Sequence, residues 1–365
     1  MKTIINSSKN LIIEESIYKF KPFVLHNRTE LFQSEEIRPE ELLGILHQHF
    51  RERLNRSQNA IMIGEFAPYI FGDLLGISEA NIKKAALPWL FLYEYSLLID
   101  DLIDKNRPKW NLELLTSQVL LDISIRKFLE VVNYNQDFMN FLSKYRTETY
   151  GGILKEFSLS KYKYIQSSSE TVVNQGRKSA FVKLLVYVLI KLEYSRAPTT
   201  IEEEQFDKIC SAIQLLDDLT DFYEDYEESR TNLLLANTLN WLKIKGLNSD
   251  GIHIKKDTLF IAMLLSSSIQ TSLELASNLL ESSSQNIQLN GGIISHQYFV
   301  SINQKCLLSL SSMDNFFNSF IMEMQNYENL YLLDFTNNNL TKSKEEYAIE
   351  SSLLSFCDTL PKACN

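Results

Sequence analysis

The sequence predicts an all-α protein, a single large helical bundle around a central cavity. Three observations lead there. From about residue 38 onward, apolar residues recur at three- and four-residue steps, the spacing of one helix face. Two-residue alternation, the mark of a half-buried strand, is scarce. Glycine (11) and proline (7) are both sparse for 365 residues, which favours long helices over tight turns.

The elements follow in chain order. Residues 1–35 are weakly patterned and are expected to form an N-terminal arm or short helix. One helical domain is expected over 36–335, then a polar tail with a short amphipathic piece over 336–365. Within the domain the apolar period predicts helices over 39–54, 79–104, 111–132, 136–157, 178–193 and 201–228. Beyond 235 it predicts others over 258–284 and 296–331. Gly64, Gly151-Gly152, Pro198, Gly246 and Gly291-Gly292 read as punctuation, and Pro88 as a proline inside a helix, able to kink it. The serine triplets at 266–268 and 282–284 read as local bias.

Composition excludes several classes. A net charge of −10 argues against nucleic acid or an anionic membrane as partner. No stretch approaches the roughly 18 apolar residues of a membrane span, and MKTIINSSKNLIIEES lacks a signal-peptide core. Cys210, Cys306, Cys357 and Cys364 show no metal-binding spacing and read as thiols of a reducing cytoplasm.

Two acidic clusters carry the chemistry. Asp100, Asp101 and Asp104 end the run LFLYEYSLLIDDLID, and Asp217, Asp218, Asp221 and Asp225 end CSAIQLLDDLTDFYED. Residues four apart share a helix face, so Asp100 pairs with Asp104, and Asp217 with Asp221 and Asp225. A lone cluster of this kind reads equally as a solvated face. Two of them, each beginning where a buried face ends, point to opposed rims of one cavity. Carboxylates gathered there repel unless cations sit between them. Hard, oxygen-seeking Mg2+ suits the site, since it takes one or two carboxylates and completes its shell with water and substrate phosphate.

The complement to a diphosphate lies in Gln175-Gly176-Arg177-Lys178-Ser179-Ala180-Phe181. A basic pair at a helix start adds its charge to the helix dipole, a setting that favours phosphate. Arg107, three residues after Asp104, and Arg230, after the second cluster, are further candidates; a surface position is the alternative for each. Counting back from Asp100, Ser96, Tyr93, Leu92 and Trp89 share roughly one face and would line a pocket below the metals, with Tyr95 at its edge. Core packing is the alternative for Trp89 and Tyr93. Phe157 and Phe181 are further pocket candidates.

Over roughly residues 60–235 the chain resembles the trans-isoprenyl diphosphate synthase and class I terpene synthase superfamily. The segment APYIFGDLLGISEANIKKAALPWLFLYEYSLLIDDLID is similar to the stretch leading to that family's first DDxxD. TETYGGILKEF resembles its glycine-containing helix, GRKSAF its basic turn and IQLLDDLTD its second aspartate motif. The resemblance implies a class I isoprenoid synthase fold and a prenyl diphosphate substrate (farnesyl, geranylgeranyl or longer). It implies two Mg2+ ions on Asp100, Asp101 and Asp104, and a third on Asp217, Asp221 and Asp225. Lys178 and Arg177 would contact the diphosphate. A homodimer is also implied, although no residue speaks for one.

Two departures bear on the reaction. Chain-elongating members carry a basic GKRxRP-like motif for isopentenyl diphosphate, and the matching stretch here is Ile63-Gly64-Glu65-Phe66-Ala67-Pro68. Glu65 would repel a diphosphate, which favours a cyclase that ionises one allylic diphosphate; Arg51, Arg53 and Arg56 upstream are candidates to compensate. Bacterial cyclases also place an Arg-Tyr pair well after the second motif, whereas no arginine follows Arg230 here, and His296 and Tyr298 occupy that region. The expected activity is therefore a Mg2+-dependent class I terpene synthase. Rival readings are a chain-elongating prenyltransferase and a non-catalytic helical protein binding divalent cations. A protonation-initiated cyclase is not indicated, because no DxDD tetrad is present.

Overall fold

The computed structural model describes residues 19–33, 63–105, 110–159, 172, 176–228, 230, 232–244, 254, 256–286, 298–304, 306–308 and 310–311. Among these residues the regular elements are helices: α1 (Lys21–Gln33), α2 (Ile63–Leu74), α3 (Glu79–Lys105), α4 (Trp110–Val131) and α5 (Gln136–Leu159). They continue with α6 (Phe181–Tyr194), α7 (Thr200–Glu227), α8 (Leu233–Ile244), α9 (Lys256–Leu265) and α10 (Ser268–Asn286). A three-ten turn, Arg177–Ser179, leads into α6, and residues 298–304 are again helical. The all-α expectation holds. No described helix is long and apolar enough to cross a membrane.

The centre of the bundle is α6. Phe181 and every residue from Lys183 to Ile190 are buried, as expected of a helix apolar nearly all round. It packs against α2, α3, α5 and α7, the four helices that wall the cavity described below. Lys183 breaks the apolar rule. Its ammonium pairs with Glu148 of α5 and, at 2.8 Å, with Asp207 of α7, so a buried cation ties three helices together. Ser195 ends α6 at φ 56°, and Thr199 starts α7 with a capping box: its hydroxyl accepts from Glu202 N, while Glu202 accepts from Thr199 N at 2.7 Å.

Several expected boundaries change. Gly64 and the Gly151-Gly152 pair lie inside α2 and α5 and do not end a helix; Gly64 and Gly152 permit close packing there, while Gly151 faces open space. Helix α3 runs through Pro88 without a break. The helix expected over 258–284 is two, parted at Ser266-Ser267 with Ser267 at φ 57°. There the Ser266 hydroxyl donates to the Met263 carbonyl, a local bond that competes with the helix ladder. Helices α2 and α8 were not in the expected set. The helix expected over 39–54, Arg51, Arg53, Arg56, Gly246, Gly291-Gly292 and the tail over 336–365 lie outside the described residues.

Candidate active site

The two acidic helices meet. Asp100 of α3 and Asp217 of α7 line the same cavity of about 370 Å³, together with Lys178 from the turn before α6. Their fields overlap as well. Asp217 reaches solvent at the mouth but stands among many protein atoms. That crowding, then the Asp221 carboxylate, pushes its pKa up to about 6; Lys178 opposes the rise and Asp100 adds to it.

Close backbone packing holds the basic turn at the mouth. A methyl group on Gly152 of α5 would stand 2.7 Å from Lys178 N, and one on Gly176 would stand 2.3 Å from Ser211 Oγ of α7. The turn is thus wedged between α5 and α7 at two positions where only glycine fits. Lys178 and Ser179 line the cavity, while Arg177 beside them is exposed.

Below the mouth the walls are apolar and aromatic. From α3, Trp89, Tyr93, Tyr95, Ser96 and Ile99 face the cavity; from α2, Gly64, Ala67, Ile70 and Phe71 do. Trp89 and Tyr93 stack at 6.2 Å, and Trp89 Nε1 donates to the Gly64 carbonyl at 2.7 Å, fixing the indole. Phe181 and Val182 enter from α6, Cys210, Ile213 and Gln214 from α7, and Tyr298 and Phe299 from the last helical residues. Of the residues counted back from Asp100, Ser96, Tyr93 and Trp89 reach the pocket, with Tyr95 beside them, as does Phe181. Leu92 does not line it and packs in the core.

Other candidates fall elsewhere. Asp218, placed in the metal-binding set by sequence, is 3% exposed and points into the fold. Its carboxylate accepts from Gln214 Nε2 and from Leu233 N, both at 3.0 Å, so it caps the first turn of α8. Burial raises its pKa to about 6. Asp225 accepts from Asn232 Nδ2 at 2.8 Å and faces Arg230 Nη1 at 3.7 Å. Arg230 also pairs with Glu228, so its guanidinium serves the end of α7, and neither Asp225 nor Arg230 lines the cavity. Backbone atoms of Asp101 and Asp104 continue α3; their side chains, and all of Arg107, lie outside the described residues.

Sequence reasoning missed Thr149, Tyr150 and Ile153 of α5, and Cys210, Ile213 and Gln214 of α7. The α7 trio was legible, since Ile213 and Cys210 precede Asp217 by one and two turns. Glu65 is also placed differently from its expected role. It is buried, and Arg28 of α1 holds it in a two-pronged pair, with Nε donating to Oε1 at 2.5 Å and Nη2 to Oε2. Neutralised in this way, it does not repel an anion; the stretch instead offers no cation to hold one.

No family model and no curated protein matches the sequence. Solved structures do. Geranylgeranyl pyrophosphate synthase from Corynebacterium glutamicum matches at a TM-score of 0.61 and 13% identity, over 83% of this chain and 98% of that one. The synthetase of the same product from the archaeon Geoglobus acetivorans matches at 0.61 and 14%, over 80% and 97%. This chain has the polyprenyl synthase fold. A third example of that fold, polyprenyl synthase from Caulobacter crescentus, matches at 0.56 and 12%, over 80% and 96%, and was crystallised with calcium and isoprenyl diphosphate.

The donors present fit magnesium. Asp100 and Asp217 offer hard carboxylate oxygens of like charge at one mouth, with Asp221 a turn beyond Asp217 along α7. Among the described residues no three His, Cys, Asp or Glu side chains form a ready-made metal cluster. Each ion would then take one or two carboxylates and find its remaining ligands in water and phosphate oxygens.

Proposed function

We propose that the protein is a divalent-metal-dependent class I terpene synthase, which ionises an allylic prenyl diphosphate and closes the cation on its own double bonds, releasing diphosphate. One observation carries the reading: Asp100, Asp217 and Lys178 share the mouth of a cavity whose walls are apolar and aromatic. The head group of the substrate belongs at that mouth and its chain below it.

Asp100 and Asp217, with Asp221 and the remaining aspartates of the first motif, would hold Mg2+. When bound, the ions supply Lewis acidity to the leaving oxygens. Lys178 places an ammonium beside the diphosphate and is itself positioned by Gly152 and Gly176. Trp89, Tyr93 and Phe71 turn aromatic surface toward the chain, and each ring facing a cation is worth roughly 0.5–2 kcal/mol. The apolar walls keep bulk water from the allylic cation.

Cyclisation is preferred over elongation because the 63–68 stretch presents no basic group. Its one charge, Glu65, is matched by Arg28. Elongation is the second reading, suggested by the names of the solved neighbours. Incubation with Mg2+ and farnesyl or geranylgeranyl diphosphate, with and without isopentenyl diphosphate, separates the two. A cyclic hydrocarbon or alcohol from the allylic substrate alone supports the proposal. A longer diphosphate formed only when both substrates are present refutes it.

A further inference from the structure

We infer that the cavity carries a water-holding site made of Thr149 and the Tyr95–Tyr150 hydroxyl pair, and that this water captures the terminal cation, so the product is a terpene alcohol. The inference names the product class of the reaction proposed above and rests on that reading.

Three residues that carry hydroxyls, Thr149, Tyr95 and Tyr150, line the cavity below its mouth. Thr149 is 3% exposed, lines the cavity, and its Oγ1 makes no hydrogen bond among the described residues. Two residues earlier in the same helix, Thr147 shows the usual solution, donating to the Ser143 carbonyl at 2.8 Å. Thr149 does not take it. A buried hydroxyl without a partner is costly and calls for one from outside the chain. Tyr95 and Tyr150 stand with their oxygens 2.5 Å apart. Such a pair uses one of its two hydrogens, leaving the other and several lone pairs for a third group. Phe181 braces both rings edge-on, at 6.2 Å from Tyr95 and 6.4 Å from Tyr150.

Two other polar side chains of the lining are committed within the protein. Ser96 Oγ donates to the Leu92 carbonyl at 2.9 Å, and Gln214 Nε2 to Asp218 at 3.0 Å. Depth places the trio with the chain of the substrate, below its head. Tyr95 lies five residues before Asp100, about 7.5 Å along the helix axis, and Thr149 three before Gly152, about 4.5 Å. Burial holds the Tyr95 hydroxyl far above the ordinary phenol range, so it stays protonated and can orient water without acting as a base. In the capture step a water lone pair forms the new C–O bond to the cationic carbon. One O–H bond of the resulting oxonium then breaks, and its proton passes to the diphosphate freed at the mouth. No other reactant is needed.

The test is turnover of farnesyl diphosphate with Mg2+ in water enriched in oxygen-18. The expected product is an alcohol of one enantiomer carrying the label, with none in the released diphosphate. Thr149→Val should lower the alcohol-to-hydrocarbon ratio roughly tenfold, the loss of one hydrogen bond to the water, and Thr149→Ser should restore it. Should the valine variant not fold, Tyr150→Phe gives the same readout. A crystal structure of the metal-free protein should show a water within hydrogen-bond distance of Thr149 Oγ1. Diphosphate release with only hydrocarbon product overturns this inference and leaves the ionisation reading standing. An unchanged ratio in Thr149→Val also overturns it. No diphosphate release from any prenyl diphosphate overturns both.

Discussion

Adjacent glycines in α5 should behave oppositely. Gly151 faces open space, with nothing within 4 Å of an added methyl, whereas the same methyl on Gly152 would stand 2.7 Å from Lys178 N and 3.0 Å from Arg177 C. Ordinary contact begins at 3.4 Å, so Gly152→Ala requires the turn bearing Arg177 and Lys178 to retreat by about 0.7 Å. The obstacle is backbone, which cannot swing aside as a flexible side chain can. Overpacking of this kind costs about 1–3 kcal/mol, against about 0.5–1 kcal/mol gained because alanine suits a helix interior better than glycine. Gly152→Ala should therefore lose up to about 2.5 kcal/mol in urea unfolding, and Gly151→Ala should gain about 0.5–1 kcal/mol. Displacing Lys178 should also slow diphosphate release by roughly tenfold or more, since a shift of about 1 Å near a reacting centre can cost 100-fold. If Gly152→Ala matches Gly151→Ala in both stability and rate, the wedge that positions the basic turn is not there.

The two neighbours Asp217 and Asp218 should separate chemistry from folding. Asp218→Ala should cost about 1–3 kcal/mol in urea unfolding by uncapping α8, while Asp217→Ala should keep or raise stability, by relieving repulsion, and lower metal-dependent diphosphate release at least about 100-fold. Arg28→Met should cost about 3–5 kcal/mol by leaving Glu65 buried and unmatched, and Arg28→Met combined with Glu65→Met should recover most of that loss. Burial, the largest single effect, works to raise Glu202, but Arg196 and the Thr199 backbone together outweigh it and hold the carboxyl below the usual glutamate range. Its stabilisation is complete above its unfolded value near about 4.3 and is lost as pH falls through the depressed folded value; Glu202→Gln should flatten the acid limb of the urea midpoint against pH.

Helical periodicity made one wall of the site readable. Once Asp100 is set at the rim, stepping back by turns reaches Ser96, Tyr93 and Trp89, and all three line the cavity. The method fails where tertiary partners decide direction. Asp218 sits about 100° around α7 from Asp217, and only the presence of α8 reveals that this direction leads inward to Leu233 N. Glu65 reads as an exposed repulsive charge until Arg28, 37 positions earlier, is placed against it. Thr149 carries no sequence signal, because nothing in the chain distinguishes its hydroxyl from that of Thr147. Local serine chemistry parted α9 from α10 at a place where apolar spacing continues unbroken.

The most direct test is a crystal structure of the protein with Mg2+ and inorganic diphosphate. The account predicts diphosphate at the cavity mouth, bridged through Mg2+ to Asp100 on one side and Asp217 on the other, with Lys178 Nζ within hydrogen-bond distance of a phosphate oxygen. Diphosphate bound elsewhere, or held with either carboxylate uninvolved, would contradict it.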